Sequence, residues 1–218
     1  MYHPRHLGAS GAEDPRNVDR AAIDRLLDFW FGPLGDDGTV DREHRVLWFY
    51  PSEDFDQRCR EGFAGDLARA ARGDLDPWAS TPHGRLALII LLDQFSRNIY
   101  RGTARAFAQD AKAFALCEEG VADGMDRALR PAERLFFYLP LEHAEDITLQ
   151  RLSVETFRRL CRAVAPAWRK DYESFLDYAQ RHHDIIARFG RFPHRNAALE
   201  RPSTPEEIEF LKQPGSSF

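Results

Sequence analysis

The feature that most constrains the fold is an uninterrupted run of seven apolar residues from Leu86 to Leu92. A helix over this run would present apolar side chains on every side, so it has to be surrounded by protein. Thr81 followed by Pro82 is typical of a helix start, because a proline in the first turn loses no hydrogen bond. A buried strand of a parallel sheet is the alternative for a short apolar run, but no alternation of strands and helices is found elsewhere. The run therefore predicts a buried central helix over about residues 82–100.

The rest of the chain also has apolar residues at helical spacing, and no segment alternates as a half-buried strand does. Phe55, Cys59, Phe63 and Leu67 recur at every fourth position, and this stripe begins after Ser52 and ends before Gly73. The sequence predicts an all-α protein with about eight helices in a compact array and short links. Further helices are predicted over 18–31, 46–49, 103–119, 131–138, 141–164, 168–189 and 204–212, with a turn at 36–38.

Length and composition are those of one globular domain. A chain of 218 residues buries about 70% of its unfolded surface without needing a disulfide or a metal. Residues 1–17 lack periodicity, which predicts a disordered leader before a single all-α domain over residues 18–218. We find no apolar run near the ~20 residues that cross a bilayer, no apolar core of a secretory signal, and no closely spaced cysteines. These absences predict a reduced, cytoplasmic protein that binds no membrane and no cofactor.

Charge is distributed unevenly along the chain. The formal net charge of -5 argues against a uniformly basic nucleic-acid-binding protein. However, residues 85–105 contain four arginines against one acid, and residues 181–201 contain five arginines against two acids. Each of these windows therefore carries a formal charge of +3, which predicts a local anion site on an acidic helical body.

The first of these windows continues the apolar run into polar residues. If the helix persists, Asp93, Arg97 and Arg101 share one face, and Gln94 and Asn98 share the adjacent face. Such a pattern indicates either a polar wall that faces a cavity or ordinary ion pairs between helices.

A second polar segment contains Glu142, His143 and Asp146 after Pro140. A histidine between two carboxylates suits a metal ion or a histidine oriented by a carboxylate. If Pro140 starts a helix, however, acids in its first turn are expected from the helix dipole alone. Because no paired metal-binding motif is present, we predict no metal site here.

The third segment, residues 181–196, combines histidines and arginines around Gly190 and Pro193. The forked donors of arginine match paired oxygens, so a loop of this kind suits a carboxylate or phosphate ligand. The competing interpretation is that the arginines bind the acids of the second segment and helix C-termini. A fourth segment, residues 28–33 with Trp48 and Phe49, is rich in aromatic side chains, and we expect it to be core.

Four strings occur in order over about residues 23–211: LLDFWFG, GRLALIILLDQFSRNIYRGTARAFAQD, ERLFFYLPLEHAED and HHDIIARFGRFPHRNAALERPSTPEEIEFL. They resemble the bacterial proteins grouped as domain-of-unknown-function family 924. The resemblance implies a tetratricopeptide-like arrangement of helices and carries over no reaction. This chain departs from the family pattern at Ser96, where a proline is typical, at Ala144, where a serine is typical, and at Glu200, where a glycine is commoner.

From these segments we predict a pocket for a small anionic or zwitterionic ligand. If it is catalytic, His143 or His194 is the general acid or base and Glu142 orients it. The alternative is a tetratricopeptide-like scaffold that binds a protein or peptide and has no enzymatic activity. The predicted ligand-binding residues are Asp93, Gln94, Arg97, Asn98, Arg101, His183, Arg188, Arg191, Arg195 and Asn196.

Overall fold

The computed structural model describes residues 15–35, 40, 42–50 and 52–217. These residues form helices and turns with no strand, so the predicted all-α class is confirmed for the described chain. Counting α4 and α5 as one rod gives nine helices there, close to the eight expected. The helices are α1 (Pro15–Phe31), α2 (Arg42–Phe49), α3 (Glu53–Arg72), α4 (Pro82–Ile89), α5 (Ser96–Ile99), α6 (Asp110–Ala122), α7 (Pro131–Glu142), α8 (Ile147–Ala163), α9 (Arg169–Phe189) and α10 (Pro205–Phe210).

Two expectations fall partly or wholly outside the described residues. The predicted turn at 36–38 and residues 1–14 of the predicted leader are not among them. Helix α1 begins at Pro15, three residues before the apolar periodicity does. No helix in the described ranges is long and apolar enough to cross a membrane.

The central helix lies where the apolar run predicts it. All residues from Leu86 to Leu92 have 0% of their surface exposed. Helix α4 continues through a π turn, Ile90–Phe95, into α5. A π turn accommodates one more residue than an α-helical turn does, and such turns are frequent at functional sites. The rod ends at Ile99, so Arg101 lies beyond it.

Helix α3 also agrees with its prediction. The Ser52 side chain accepts a hydrogen bond from the backbone N–H of Phe55 at 3.2 Å, which caps the first turn. Gly73 ends the helix in the left-handed conformation, with φ of 91°. The predicted stripe of Phe55, Cys59, Phe63 and Leu67 is buried.

The prediction that Pro140 starts a helix is wrong. Helix α7 continues through Pro140 to Glu142, where six buried residues from Phe136 to Leu141 hold it in the core. Helix α8 begins only at Ile147, and the Asp146 carboxylate caps it by accepting hydrogen bonds from two backbone N–H groups at 2.8 and 2.9 Å. Glu142 is therefore at the C-terminal, electronegative end of a helix rather than at its start.

The described side chains of the aromatic segment belong to the core, as expected, and the Phe49 side chain lies outside the described residues. Trp30 is 1% exposed and its ring centroid lies 5.3 Å from those of Phe95 and Phe136. Trp48 stacks on Trp30 at 6.5 Å and donates a hydrogen bond to the Trp30 backbone oxygen at 2.8 Å.

Glu200 has a left-handed backbone, with φ of 53°, which explains why glycine suits this position. We expect Glu200→Gly to stabilise the protein by about 0.5–1 kcal/mol. A non-glycine residue in the left-handed conformation costs about 1–2 kcal/mol, and glycine removes this steric cost. Ordering the more flexible glycine chain in turn costs about 0.5–1 kcal/mol of conformational entropy. Urea denaturation measures the change. Glu209→Gly, within helix α10, is the control and should destabilise; equal destabilisation by both variants would contradict the argument.

Candidate functional site

One end of the central rod carries a group of buried and partly buried polar side chains, most of them ionisable, which we call the buried cluster. The π turn and α5 supply its first members, and the start of α6, the end of α7, the buried face of α9 and the turn Pro193–Arg195 supply the others. Its members are Asp93, Gln94, Arg97, Asp110, Glu142, His143, His182 and Arg195. The polar residues that follow the apolar run therefore begin in the interior of the domain, as the sequence predicts.

Asp93 is the centre of the cluster and is 1% exposed. Its carboxylate lies 2.8 Å from His143 Nδ1 and 3.0 Å from Arg97 Nη1, and it accepts a hydrogen bond from Gln94 Nε2 at 2.6 Å. Burial by itself raises the pKa of Asp93, but Arg97 and His143 outweigh it and hold the pKa below its usual range. Asp93 is therefore an ionised carboxylate inside the protein.

Two guanidinium groups share the carboxylate of Asp110. Arg97 donates to both of its oxygens, at 2.9 and 3.1 Å, and Arg195 Nη1 donates to one of them at 3.2 Å. The Arg195 guanidinium lies over the rings of Phe107 and Phe192, at 4.7 and 4.5 Å from their centroids. Burial and the neighbouring Arg97 lower the pKa of Arg195 to about 10. Two arginines and two aspartates thus leave this part of the cluster without net charge.

His143 follows the last residue of α7 and has the geometry of a general base. Because an ionised carboxylate only accepts hydrogen bonds, Nδ1 of the neutral ring carries the proton that Asp93 accepts. Burial, and next the charge of Arg97, lower the pKa of His143, so the ring is neutral at pH 7. Among the described residues none hydrogen-bonds Nε2, which is left with its lone pair. Asp93 orients this histidine, so the prediction that Glu142 does so is wrong.

Glu142 instead contacts His182, with 3.2 Å between Glu142 Oε1 and His182 Nδ1. His182 Nδ1 also lies 2.9 Å from the backbone oxygen of Tyr178, and its ring centroid is 6.1 Å from that of His143. Burial, and next the charge of Asp93, raise the pKa of Glu142 to about 8. Burial lowers the pKa of His182 well below its usual value. At neutral pH the cluster therefore contains a carboxylic acid beside neutral imidazoles.

Six of the ten predicted ligand residues lie outside the cluster, and four of these six contact other carboxylates. Asn98 and Arg101 bind Asp56 of α3, with Arg101 donating to both carboxylate oxygens at 2.6 and 2.8 Å. Arg101 leaves the face of Asp93 because the rod ends before it. Arg188 pairs with Glu206 at the surface, and His183 lies 3.0 Å from Asp184.

The remaining predicted residues hold the loop after α9 in place. Arg191 donates to both carboxylate oxygens of Glu207, at 2.7 and 2.8 Å, and lowers the pKa of that group to about 2. Asn196 is 1% exposed and donates to the same carboxylate at 3.3 Å. His194 lies in the same loop, where burial, and next the charge of Arg195, lower its pKa to about 4. These contacts agree with the structural interpretation of the loop arginines.

Sequence reasoning missed Asp110 and His182. His182 is on the buried face of α9 with Ala179, Ile185 and Ile186, and this periodicity could have identified it. Asp110 carries no comparable signal, because its partner Arg195 is 85 residues away in the sequence.

The arrangement of the cluster is chemically suited to proton transfer. A neutral imidazole with a free lone pair, as in His143, can accept a proton. A protonated carboxyl group, as in Glu142, can donate one. In the described part of the chain, no group of three or more His, Cys, Asp or Glu side chains is placed to hold a metal ion.

Fold and cluster together define an all-α protein with a buried Asp–His–Arg centre. Residues 26–215 match the family described as bacterial protein of unknown function (DUF924), and the chain belongs to this family. The chain is similar in structure to the protein of unknown function ATU0120 from Agrobacterium tumefaciens, with a TM-score of 0.74 and 37% identity over 88% of this chain and 98% of the other. No curated protein matches the sequence. The family resemblance is thus confirmed.

Proposed function

We propose that this chain is a cytosolic helical protein that binds a small anionic or zwitterionic ligand at the buried cluster, with His143 as the group that exchanges a proton with it. The observation that carries the proposal is the 2.8 Å contact between Asp93 and His143 Nδ1. This contact fixes the ring and its tautomer, and it leaves Nε2 to act as a base.

The arginines of the cluster support an anionic group in the ligand. Arg195 Nε is buried and has no hydrogen-bond partner in the described chain, so one strong donor is unused. Asp110, which binds both guanidinium groups, has 23% of its side chain exposed, and Arg97 has 19% exposed. The Arg97–Asp110 ion pair therefore reaches the surface. A ligand oxygen at this place would interact with both Arg97 and Arg195.

A thermal-shift titration with inorganic phosphate, acetate and glycine tests the proposal. We expect at least one probe to raise the melting temperature of the wild-type protein and of Arg101→Gln, whose arginine lies outside the cluster. The same probe should leave Arg195→Gln unshifted. Failure of all three probes, or an undiminished shift in Arg195→Gln, would overturn the proposal.

A second measurement does not depend on the stability of the arginine variant. The ring nitrogen resonances of His143 in the wild-type protein should show protonated Nδ1 and unprotonated Nε2 at pH 7. The effective probe should shift the Nε2 signal more than the signals of exposed His83. Protonation of both nitrogens at this pH would contradict a basic role for His143.

The alternative is a tetratricopeptide-like scaffold with no enzymatic activity. An open groove lined by the aromatic segment would favour it. Since Trp30 and Phe31 are instead 1% exposed, we base the proposed function on the buried cluster.

A further inference from the structure

A separate apolar cleft of about 50 Å³ lies between α2, α7 and the start of α9. Tyr172 of the cleft and His182 of the buried cluster are both on α9, ten residues apart, which corresponds to about 15 Å along the helix. The cleft is therefore independent of the proposed function. Its walls include the side chains of Trp48, Leu135, Val164, Trp168, Tyr172 and Phe175.

An ion pair stands at the mouth of this cleft. Arg45 Nη1 lies 3.0 Å from Asp171 Oδ2, and about a third of each side chain is exposed. This contact occupies only one nitrogen of the Arg45 guanidinium group and one oxygen of the Asp171 carboxylate. Within the described ranges, Arg45 Nε and Nη2 donate no hydrogen bond and Asp171 Oδ1 accepts none. Two donors of a guanidinium fork and one carboxylate oxygen are therefore available side by side.

The interior of the cleft has the size of one small apolar side chain. A water-sized group occupies roughly 10–15 Å³ of such a cavity, so the cleft admits about four of them. A branched side chain with four carbons, as in leucine, has this size. Tyr172, which also lines the cleft, adds a hydroxyl group to its walls. Burial raises the pKa of Tyr172, so this hydroxyl stays a donor.

We propose that this cleft binds an α-amino acid with a branched apolar side chain, of which leucine is the best fit. The side chain enters the aromatic cleft, the α-carboxylate binds the free edge of Arg45, and the α-ammonium group binds Asp171. A zwitterion satisfies both members of the ion pair without separating them, whereas a simple carboxylate or amine would meet one like charge.

Tryptophan fluorescence measures the binding directly, because Trp48 and Trp168 line the cleft. We expect saturable binding of L-leucine. N-acetyl-leucine lacks the ammonium charge and leucinamide lacks the carboxylate, so each should bind at least tenfold more weakly. Equal binding of either analogue, or no saturable binding of leucine, would overturn the proposal.

Substitutions of the two residues at the mouth of the cleft test whether leucine binds there. Arg45→Gln and Asp171→Asn should each weaken leucine binding at least tenfold, measured by calorimetry. Arg188→Gln is the matched control, because this arginine is exposed near the other end of α9 and should bind leucine normally. Arg195→Gln should also bind leucine normally, which separates failure of this proposal from failure of the proposed function. Undiminished leucine binding in both Arg45→Gln and Asp171→Asn would show that leucine binds elsewhere and would refute the proposal that the cleft is its site.

Discussion

Asp93→Asn is expected to destabilise the protein by about 3–5 kcal/mol, because it removes one charge of a buried ion pair and leaves Arg97, Arg195 and Asp110 with a net positive charge inside the protein. Asparagine keeps the shape of the side chain but leaves Arg97, which is 19% exposed, with one counterion fewer. The amide oxygen can still accept from His143 at the 2.8 Å position, but the NH2 group would lie where Gln94 Nε2 now donates at 2.6 Å. Urea denaturation at pH 7 measures the loss.

Asp74→Asn makes the same chemical change at an exposed ion pair. Arg72 and Asp74 are 62% and 47% exposed, and pairs of this kind contribute about 0–1 kcal/mol. We expect this control to unfold close to the wild-type midpoint. If the two variants lose similar amounts of stability, Asp93 is not the centre that holds the cluster together.

Glu142→Gln is expected to change how stability depends on pH. The pKa of Glu142 is about 8 in the folded protein and is near 4.5 in the unfolded chain. Above pH 4.5 the unfolded chain releases a proton that the folded protein keeps, so stability falls as pH rises until the folded group also ionises. At about 1.4 kcal/mol per unit, the fall between pH 6.5 and 8 amounts to about 2 kcal/mol. The variant should lack this fall.

The buried histidines act in the opposite direction. Their folded pKa values are lowered, so their contributions to stability grow with pH until the unfolded histidines are deprotonated, about one unit above 6.5. Both proteins contain these histidines, so the difference in slope between wild type and Glu142→Gln isolates the effect of Glu142. Glu155→Gln, at an exposed helical position, serves as control and should keep the wild-type slope. A Glu142→Gln protein with that same slope would show that Glu142 is ionised in the folded state at pH 7.

The fold could be predicted from local patterns because burial leaves a periodic trace in the sequence. The apolar run specified the central rod, and the stripe from Phe55 to Leu67 with its capping residues specified α3 almost to the residue. Pro140 misled the prediction, because whether a proline ends a helix depends on the tertiary packing around it.

The candidate site could be predicted only in part. The sequence predicts Asp93, Arg97, His143 and Arg195, because dense polar residues next to buried ones are unusual. Their pairing was not predictable, because Arg97 and Arg195 meet at a carboxylate that local spacing does not indicate. Arg101 was assigned to the wrong face, because the end of a helix is set by a few backbone angles rather than by side-chain periodicity.

The π turn decides where the central segment holds its extra residue. A π turn contains one residue more than an α-helical turn, so it absorbs that residue locally and the helix continues after it as it would in a chain one residue shorter. Deleting one residue from Ile90–Phe95 would therefore restore regular α-helical hydrogen bonding and leave Arg97 facing its present neighbours. The side chains within the turn, Asp93 among them, would instead take new directions. In related chains we therefore expect a one-residue deletion here to preserve the fold but to displace the Asp93 carboxylate.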